Sequence, residues 1–393
     1  MNGWRQVAAI TALNVKNLSQ RFGTSLVVVV GIGGVVAVLI SVLAMSTGIL
    51  RLVAHAGRAD RVIVFTAGAL SESSSVLDRD AVVAIANAPG LAHGPDGKAI
   101  ISAEAMVLTP ADRKSDGKSI TVVVRGIGPL GSAVRPEIGV VEGRMFRPAL
   151  RELIVGKAAR EQFRGLAIGD HVALHDGDWT IVGVFAGGGG HDSEMLGDAE
   201  TLLSAYQRTQ FQSVTGVLAS PADFQVFHDS VTANPALHVD VKRETEYLFE
   251  QSKPLRQLYT TIAYGVGGIM AVGALFGALN TMYSAVSART REIATLRAIG
   301  FGSGAVIVSV FAEALLLALA GALIGAALSW ALFNGNSISQ GAAATGQFVY
   351  SLTVTPDLML LGIIWAFVIG LVGGLFPALR AARLPIAAAL RKG

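Results

Sequence analysis

Apolar residues along the 393-residue chain gather into four long runs, near positions 26–50, 258–286, 303–333 and 358–379. Each is long enough for the roughly 20 apolar residues that cross a bilayer as a helix, so the pattern predicts four transmembrane helices. The first run exceeds the roughly 7–15 residues of a signal-peptide core and three more follow, which makes it an uncleaved anchor rather than a leader.

Between the first two runs, over residues 51–257, the periodicity changes. "ADRVIVFTAGA" reads as a β-branched strand, and "LDRDAVVAIANAPG" as a helix with Asp78 at its N-cap and Pro89-Gly90 as its stop. Strands are expected at 99–108 and 120–126. Near the far end, "SVTGVLAS", "PADFQVFHDSVTAN" and "LHVDVKRE" read as strand, helix and strand. The two ends, 51–128 and 214–257, read as halves of one α+β unit. Residues 129–213 have a different texture and read as an insertion: "ELIVGKAAREQF" as a helix, then "GDHVALHDGDWTIVGVFAGGGG" as a hairpin with turns at Gly169-Asp170 and Asp176-Gly177-Asp178.

Composition strengthens the membrane assignment. The chain is 52% hydrophobic and 15% charged, with a mean hydropathy of +0.55, whereas an average soluble domain is about 25% charged. Charge placement supplies the orientation. Arg5, Lys16, Arg21, Arg289, Arg291, Arg297, Arg380, Arg383, Arg391 and Lys392 flank the runs, with Glu292 as the one acid among them. By the positive-inside bias of short loops, segments 1–25, 287–302 and 380–393 are cytoplasmic, while 51–257 and the loop 334–357 are external. The external domain then holds 21 of the 31 basic and 25 of the 28 acidic residues. The pI of 9.2 therefore reflects membrane-side charge and gives no reason to expect nucleic acid as a partner. With no cysteine, disulfides and thiolate metal sites are excluded.

The catalytic census is empty. There is no G-x-x-x-x-G-K-[ST] sequence, no H-E-x-x-H pair among the seven histidines and no G-x-S-x-G elbow. Gly187–Gly190 reads as a flexible loop, and His191, Asp192 and Glu194 as solvated loop residues rather than metal ligands. No cofactor or metal is expected in this chain, and no enzymatic activity. Glu313, about ten residues into the third run, is costly in hydrocarbon and so a functional candidate; a carboxylate bonded to a neighbouring helix is the favoured alternative. Gly273 with Gly277, Gly321 with Gly325 and Gly370 with Gly374 each place two glycines on one helix face, which suits close helix packing in a bundle or a dimer seam.

"SARTREIATLRAIGF", 287–301, predicts a short helix with Val286, Ile293, Leu296 and Gly300 along one stripe. Arg289 and Arg291 lie about 200° apart at 3.6 residues per turn, so the charges share no face. A lipid-binding stop-transfer cluster explains the charge but not the apolar stripe, which suits a protein groove.

These residues carry a resemblance. "ARTREIATLRAIGF" followed by "VSVFAEALLLALAGALIG", the tail "GLFPALRAARLPIAAALR", and "VVEGRMFRPALRELIVGKAAREQFRGLAIGDHVALHDGDWTIVGVF" in the external domain are similar to the MacB/FtsX family of ABC transporter permeases. The resemblance implies an inner-membrane protein with four transmembrane helices and an α+β periplasmic domain, in which a split porter-like unit (51–128 and 214–257) carries a sabre-like insertion (129–213). It also implies a homodimer, and a coupling helix through which Arg289, Arg291, Glu292, Ile293, Leu296, Arg297 and Gly300 engage a cytoplasmic ATPase, with Glu313 as the embedded glutamate. MacB has a fused ATPase domain that this chain lacks, so ATP and Mg are expected in a separate ABC ATPase subunit. The implied function is mechanotransmission: ATP-driven motion relayed through the spans, driving efflux towards a periplasmic adaptor and an outer-membrane channel. Lipoprotein or lipid extraction by a Lol-type permease, or an FtsX-like relay that activates a periplasmic hydrolase, are the alternatives. Membrane lipid is the other partner.

Overall fold

The structure is a computed structural model that describes residues 22–175, 177–187, 189–342 and 346–383. Most of the expected N-terminal helix (1–25), Asp176 of the second predicted turn, Gly188 of the glycine run, and the tail beyond Arg383 lie outside the described residues.

In chain order the elements are α1 (Phe22–Ala56), β1 (Arg61–Thr66), α2 (Arg79–Ala86), β2 (Ile101–Asp112), β3 (Ser119–Ile127), α3 (Gly131–Val134), β4 (Gly139–Gly143) and β5 (Glu152–Gly156). Then come α4 (Lys157–Gln162), β6 (His171–Leu174), β7 (Gly177–Ala186), β8 (Met195–Asp198), α5 (Ala199–Ala205), β9 (Ser213–Val217), α6 (Phe224–Thr232) and β10 (Val239–Arg243). The chain continues with α7 (Glu244–Ala288), α8 (Thr290–Ala298), α9 (Ser303–Phe333), β11 (Ser337–Ala342), β12 (Gly346–Ser351) and α10 (Pro356–Ala382). Two compact units result. Among the described residues, the helical unit contains 22–47, 255–336 and 352–383, and the sheet unit contains 48–254 and 337–351.

In the helical unit, α1, α7, α9 and α10 are each long and apolar enough to cross a membrane. Two of them outrun the apolar pattern. α1 continues to Ala56 rather than ending at 50, and α7 is one 45-residue helix that begins at Glu244 rather than 258. "RLVAHA" holds no glycine or proline, so nothing stops α1 where hydrophobicity fades, whereas α7 runs on through Pro254, which lies inside the helix. Small residues set the packing. A Cβ on Gly321 would lie 2.8 Å from the Val29 carbonyl oxygen and one on Gly33 would lie 3.1 Å from that of Gly321, so α1 and α9 meet backbone to backbone. Ser329 Oγ adds a hydrogen bond to the Ala37 carbonyl at 3.0 Å. Gly370 and Gly374 of α10 face Ala318 and Ala314 of α9 at 2.6 Å by the same measure. With little hydrophobic drive between helices in lipid, such close approach is what holds a bundle together.

In the sheet unit, one sheet runs in the order β10-β1-β9-β2-β3-β8-β5-β7-β4, with β6 paired to β7. β1 is antiparallel to both β10 and β9, and β9 to β2. The β1-α2-β2 and β9-α6-β10 segments therefore interleave in the 4-1-3-2 order of a split β-α-β unit. Strands β4–β8 intervene in sequence between β3 and β9, yet they extend the same sheet, because β8 lies parallel to β3. Residues 152–156, expected as the start of a helix, form β5 instead: Leu153, Ile154 and Val155 are fully buried between β8 and β7, where β-branched side chains fit a strand covered on both faces. The loop 334–357 holds a hairpin, β11 with β12. Asp78 does occupy the N-cap position of α2, but its carboxylate accepts from Gln210 Nε2 at 2.5 Å and makes no capping bond. Trp179, Phe163 and Phe185 lie wholly inside the sheet unit on the β5–β7 side, and Phe227 and Ile85 under the split unit.

Candidate functional site

The turn from α7 through α8 into α9 gathers most of the residues singled out in the sequence. α8 is shorter than the predicted 287–301 helix, because Arg289 breaks from α7 as the N-cap and Gly300 closes the other end. Gly300 has φ +99°, the left-handed region open to glycine at little cost. The Phe301 amide donates to the Leu296 carbonyl (3.1 Å) and the Gly300 amide to that of Arg297 (3.2 Å), the bond pair of a glycine-terminated helix end. Gly300 thus shapes the exit from α8.

The apolar stripe is satisfied within the chain. Val286 and Ile293 are buried in the same cluster as Val306 and Val310 of α9, Leu296 and Arg297 are half-buried, and the outer face shows Arg291, Glu292, Thr295 and Ile299. Beneath α8, Arg289 Nη1 reaches Glu313 Oε2 of α9 at 3.3 Å, with both side chains buried. The glutamate that reads as an isolated intramembrane charge is paired with an arginine of the neighbouring turn. Of the glycine pairs, Gly321–Gly325 and Gly370–Gly374 lie in tight contacts between helices, whereas a Cβ on Gly273 or Gly277 would meet nothing within 4 Å.

A second constellation, in the sheet unit, escaped the sequence reading. Arg125, on β3 in the run "TVVVRGI", is surrounded by three carboxylates: Glu72 (2.6 Å), Glu104 of β2 (2.8 Å) and Glu194 (2.8 Å). Arg135 also pairs with Glu104 and donates to Thr215 Oγ1 at 3.3 Å. Ser213 Oγ donates to Glu72, His191 Nδ1 lies 3.1 Å from Glu194, and the Glu72 amide donates to the Tyr247 hydroxyl of α7. Glu194, expected to be solvated, is buried. Glu104 is wholly enclosed, at 0% exposure. Burial pushes its carboxyl up, but the Arg135 and Arg125 charges outweigh that and hold it below the usual carboxylate range. Glu194 follows the same logic, with Arg125 and His191 overcoming desolvation to depress it strongly. Desolvating this many charges is tolerable only when each is paired. A charged residue inside a run of valines was the one signal of it in the sequence.

Among the described residues no group of three His, Cys, Asp or Glu could hold a metal ion. Both arrangements tie helices or strands together through paired charges.

Residues 22–234, more than half of the chain, match the family described as MacB-like periplasmic core domain, and residues 264–386 match FtsX-like permease C-terminal. The macrolide export ATP-binding/permease protein MacB of Nitrobacter winogradskyi is 28% identical over 61% of this chain and 38% of its own length. The pyoverdine export ATP-binding/permease protein PvdT of Pseudomonas aeruginosa is 28% identical over 64% and 39%, and the uncharacterized ABC transporter permease YknZ of Bacillus subtilis 29% identical over 34% and 32%. The matched part of this chain thus spans well under half the length of these relatives. The solved periplasmic region of MacB from Actinobacillus actinomycetemcomitans overlaps 52% of this chain and 97% of its own at 12% identity and a TM-score of 0.38, too low to carry an argument. On the two family matches, the chain belongs to the MacB/FtsX-like permease family of ABC transporters.

Proposed function

We propose that this chain is the membrane permease subunit of a MacB-like exporter, in which ATP hydrolysis by a separate cytoplasmic ABC ATPase is relayed to the sheet unit in the periplasm. Cargo would then pass towards an adaptor and an outer-membrane channel. In this reading the four apolar helices are spans, both termini and α8 are cytoplasmic, and the split unit with its β4–β8 extension is the porter-like and sabre-like pair.

The observation that carries the reading is the seating of α8. Its inner stripe and the Arg289–Glu313 pair bind it to α7 and α9, while Arg291, Glu292, Thr295 and Ile299 remain outward. A short helix held so firmly from below, with a mixed polar and apolar outer face, suits a lever pressed by a partner rather than a lipid anchor. A second copy of the chain finds its natural contact on α7. Only 17% of the most apolar window of that helix is buried, against 44% for α1 and for α9, and the open Gly273 and Gly277 lie on it.

The test is a mild-detergent pull-down of the tagged chain from its native membrane, read by mass spectrometry. A P-loop ATPase recovered with a periplasmic adaptor supports the exporter. An ATPase recovered with a periplasmic hydrolase, or no ATPase at all, contradicts it.

A further inference from the structure

Arg61, the first residue of β1, is 1% exposed and reaches three helices and a loop of the sheet unit at once. Its Nε donates to Glu244 Oε2 at 2.6 Å, its Nη2 to the Ala56 carbonyl at 3.1 Å, and its Nη1 to the Val134 carbonyl at 3.1 Å and to Glu137. Ala56 is the last residue of α1, and Glu244 is the first of α7. The two helix ends also touch through the backbone: a Cβ on Gly57 would lie 2.8 Å from Thr245 Cα. The Arg58 amide, in the link from α1 to β1, donates to the same Glu244 oxygen at 3.1 Å.

The electrostatics are complementary in three ways. The C-terminal end of α1 presents unpaired carbonyls and a partial negative charge, which a guanidinium satisfies. The N-terminal end of α7 presents amides and a partial positive charge, which a carboxylate satisfies. The guanidinium and the carboxylate then bond to each other, shielded from water, where such a pair is strongest; Glu137 also pairs with Arg61, and Arg135 lies 4.0 Å from Glu244.

We propose that Arg61 and Glu244 form a clamp that makes the outer ends of α1 and α7 move as one piece with strand β1. The clamp itself follows from the contacts just given; its use in relaying ATP-driven motion rests on the permease reading above. Under that reading, displacement of either helix is delivered to β1, in the middle of the split unit, instead of being lost as independent fraying of two helix ends. Arg61 is a positioning residue.

The experiment is hydrogen exchange by mass spectrometry on the full chain in lipid nanodiscs, without any ATPase. Arg61→Met and Glu244→Gln are expected to accelerate exchange about tenfold or more in both 49–57 and 244–254, with β2, β3 and β9 still protected. Arg61→Lys keeps the charge but cannot reach both helix ends through separate nitrogens, and should do the same to a smaller extent if the methionine variant fails to fold. Glu137→Gln, which touches Arg61 from neither helix, should leave both segments slow. Acceleration of one segment alone, of the whole sheet together, or of neither would overturn the clamp. Failure of the permease reading would show instead as a pull-down without an ATPase, and would leave the exchange result untouched.

Discussion

Arg289, at the break between α7 and α8, and Glu313 of α9 form a buried ion pair, 3.3 Å between Nη1 and Oε2. Removing one member leaves a charge buried without its counterpart, which costs about 3–5 kcal/mol, whereas removing both costs much less. Glu313→Leu alone should therefore lower the detergent melting temperature more than Glu313→Leu combined with Arg289→Met. If the double variant proves as unstable as the sum of the singles, the pair does not hold the turn.

The two faces of α8 should respond differently to charge. Ile299→Glu alters an outward residue, 69% exposed, and should cut ATPase co-purification several-fold with the melting temperature unchanged. Ile293→Glu places a charge in the buried cluster and should unfold the turn. Full ATPase recovery with Ile299→Glu would exclude the outer face as the docking surface.

The glycines divide the same way. Alanine at Gly321 or Gly370 must displace backbone or a neighbouring side chain, and overpacking of this kind costs about 1–3 kcal/mol. Alanine at Gly273 or Gly277 meets open space within one chain and should leave monomer stability alone. A loss of dimer in native mass spectrometry with Gly273→Leu or Gly277→Leu would assign that face to the second copy; an unchanged dimer would remove it from the seam.

Acid should weaken the sheet unit. The Glu104 and Glu194 carboxyls are depressed below their ordinary value of 4.5 in the fold. The unfolded chain therefore takes up their protons first, and their contribution is complete above about pH 5 and lost as pH falls through and below 4.5. Near-UV circular dichroism of the full chain during urea unfolding should give a midpoint flat from pH 7 to 5 and falling below that. Glu104→Gln should lower the midpoint at neutral pH, since Arg125 and Arg135 lose a shared counter-charge, and should reduce the acid slope. A midpoint rising towards pH 4 would contradict the assignment.

Local periodicity made the long apolar helices and strands β1, β2, β3, β9 and β10 legible, because each is decided by its own residues. β5 was misread because "ELIV" before "GKAAREQ" fits either period, and only pairing with β7 and β8 decides for the strand. The clamp and the carboxylate cluster were invisible for another reason: Arg61 and Glu244 are 183 positions apart, and no local pattern reports a contact made by chain reversal. Glu313 stood out through its cost in hydrocarbon, but its partner was not legible, since Arg289 read as a surface charge of the coupling helix.

The central claim is that ATP hydrolysis moves the sheet units. The chain has no cysteine, so a spin label on Leu70→Cys, a site 88% exposed in the sheet unit, would be unique in each copy. In nanodiscs holding the chain with its ATPase, pulsed electron spin resonance should give one distance distribution between copies without nucleotide and a shifted one, by several ångströms, with ATP and vanadate. Identical distributions in the two states would contradict the account.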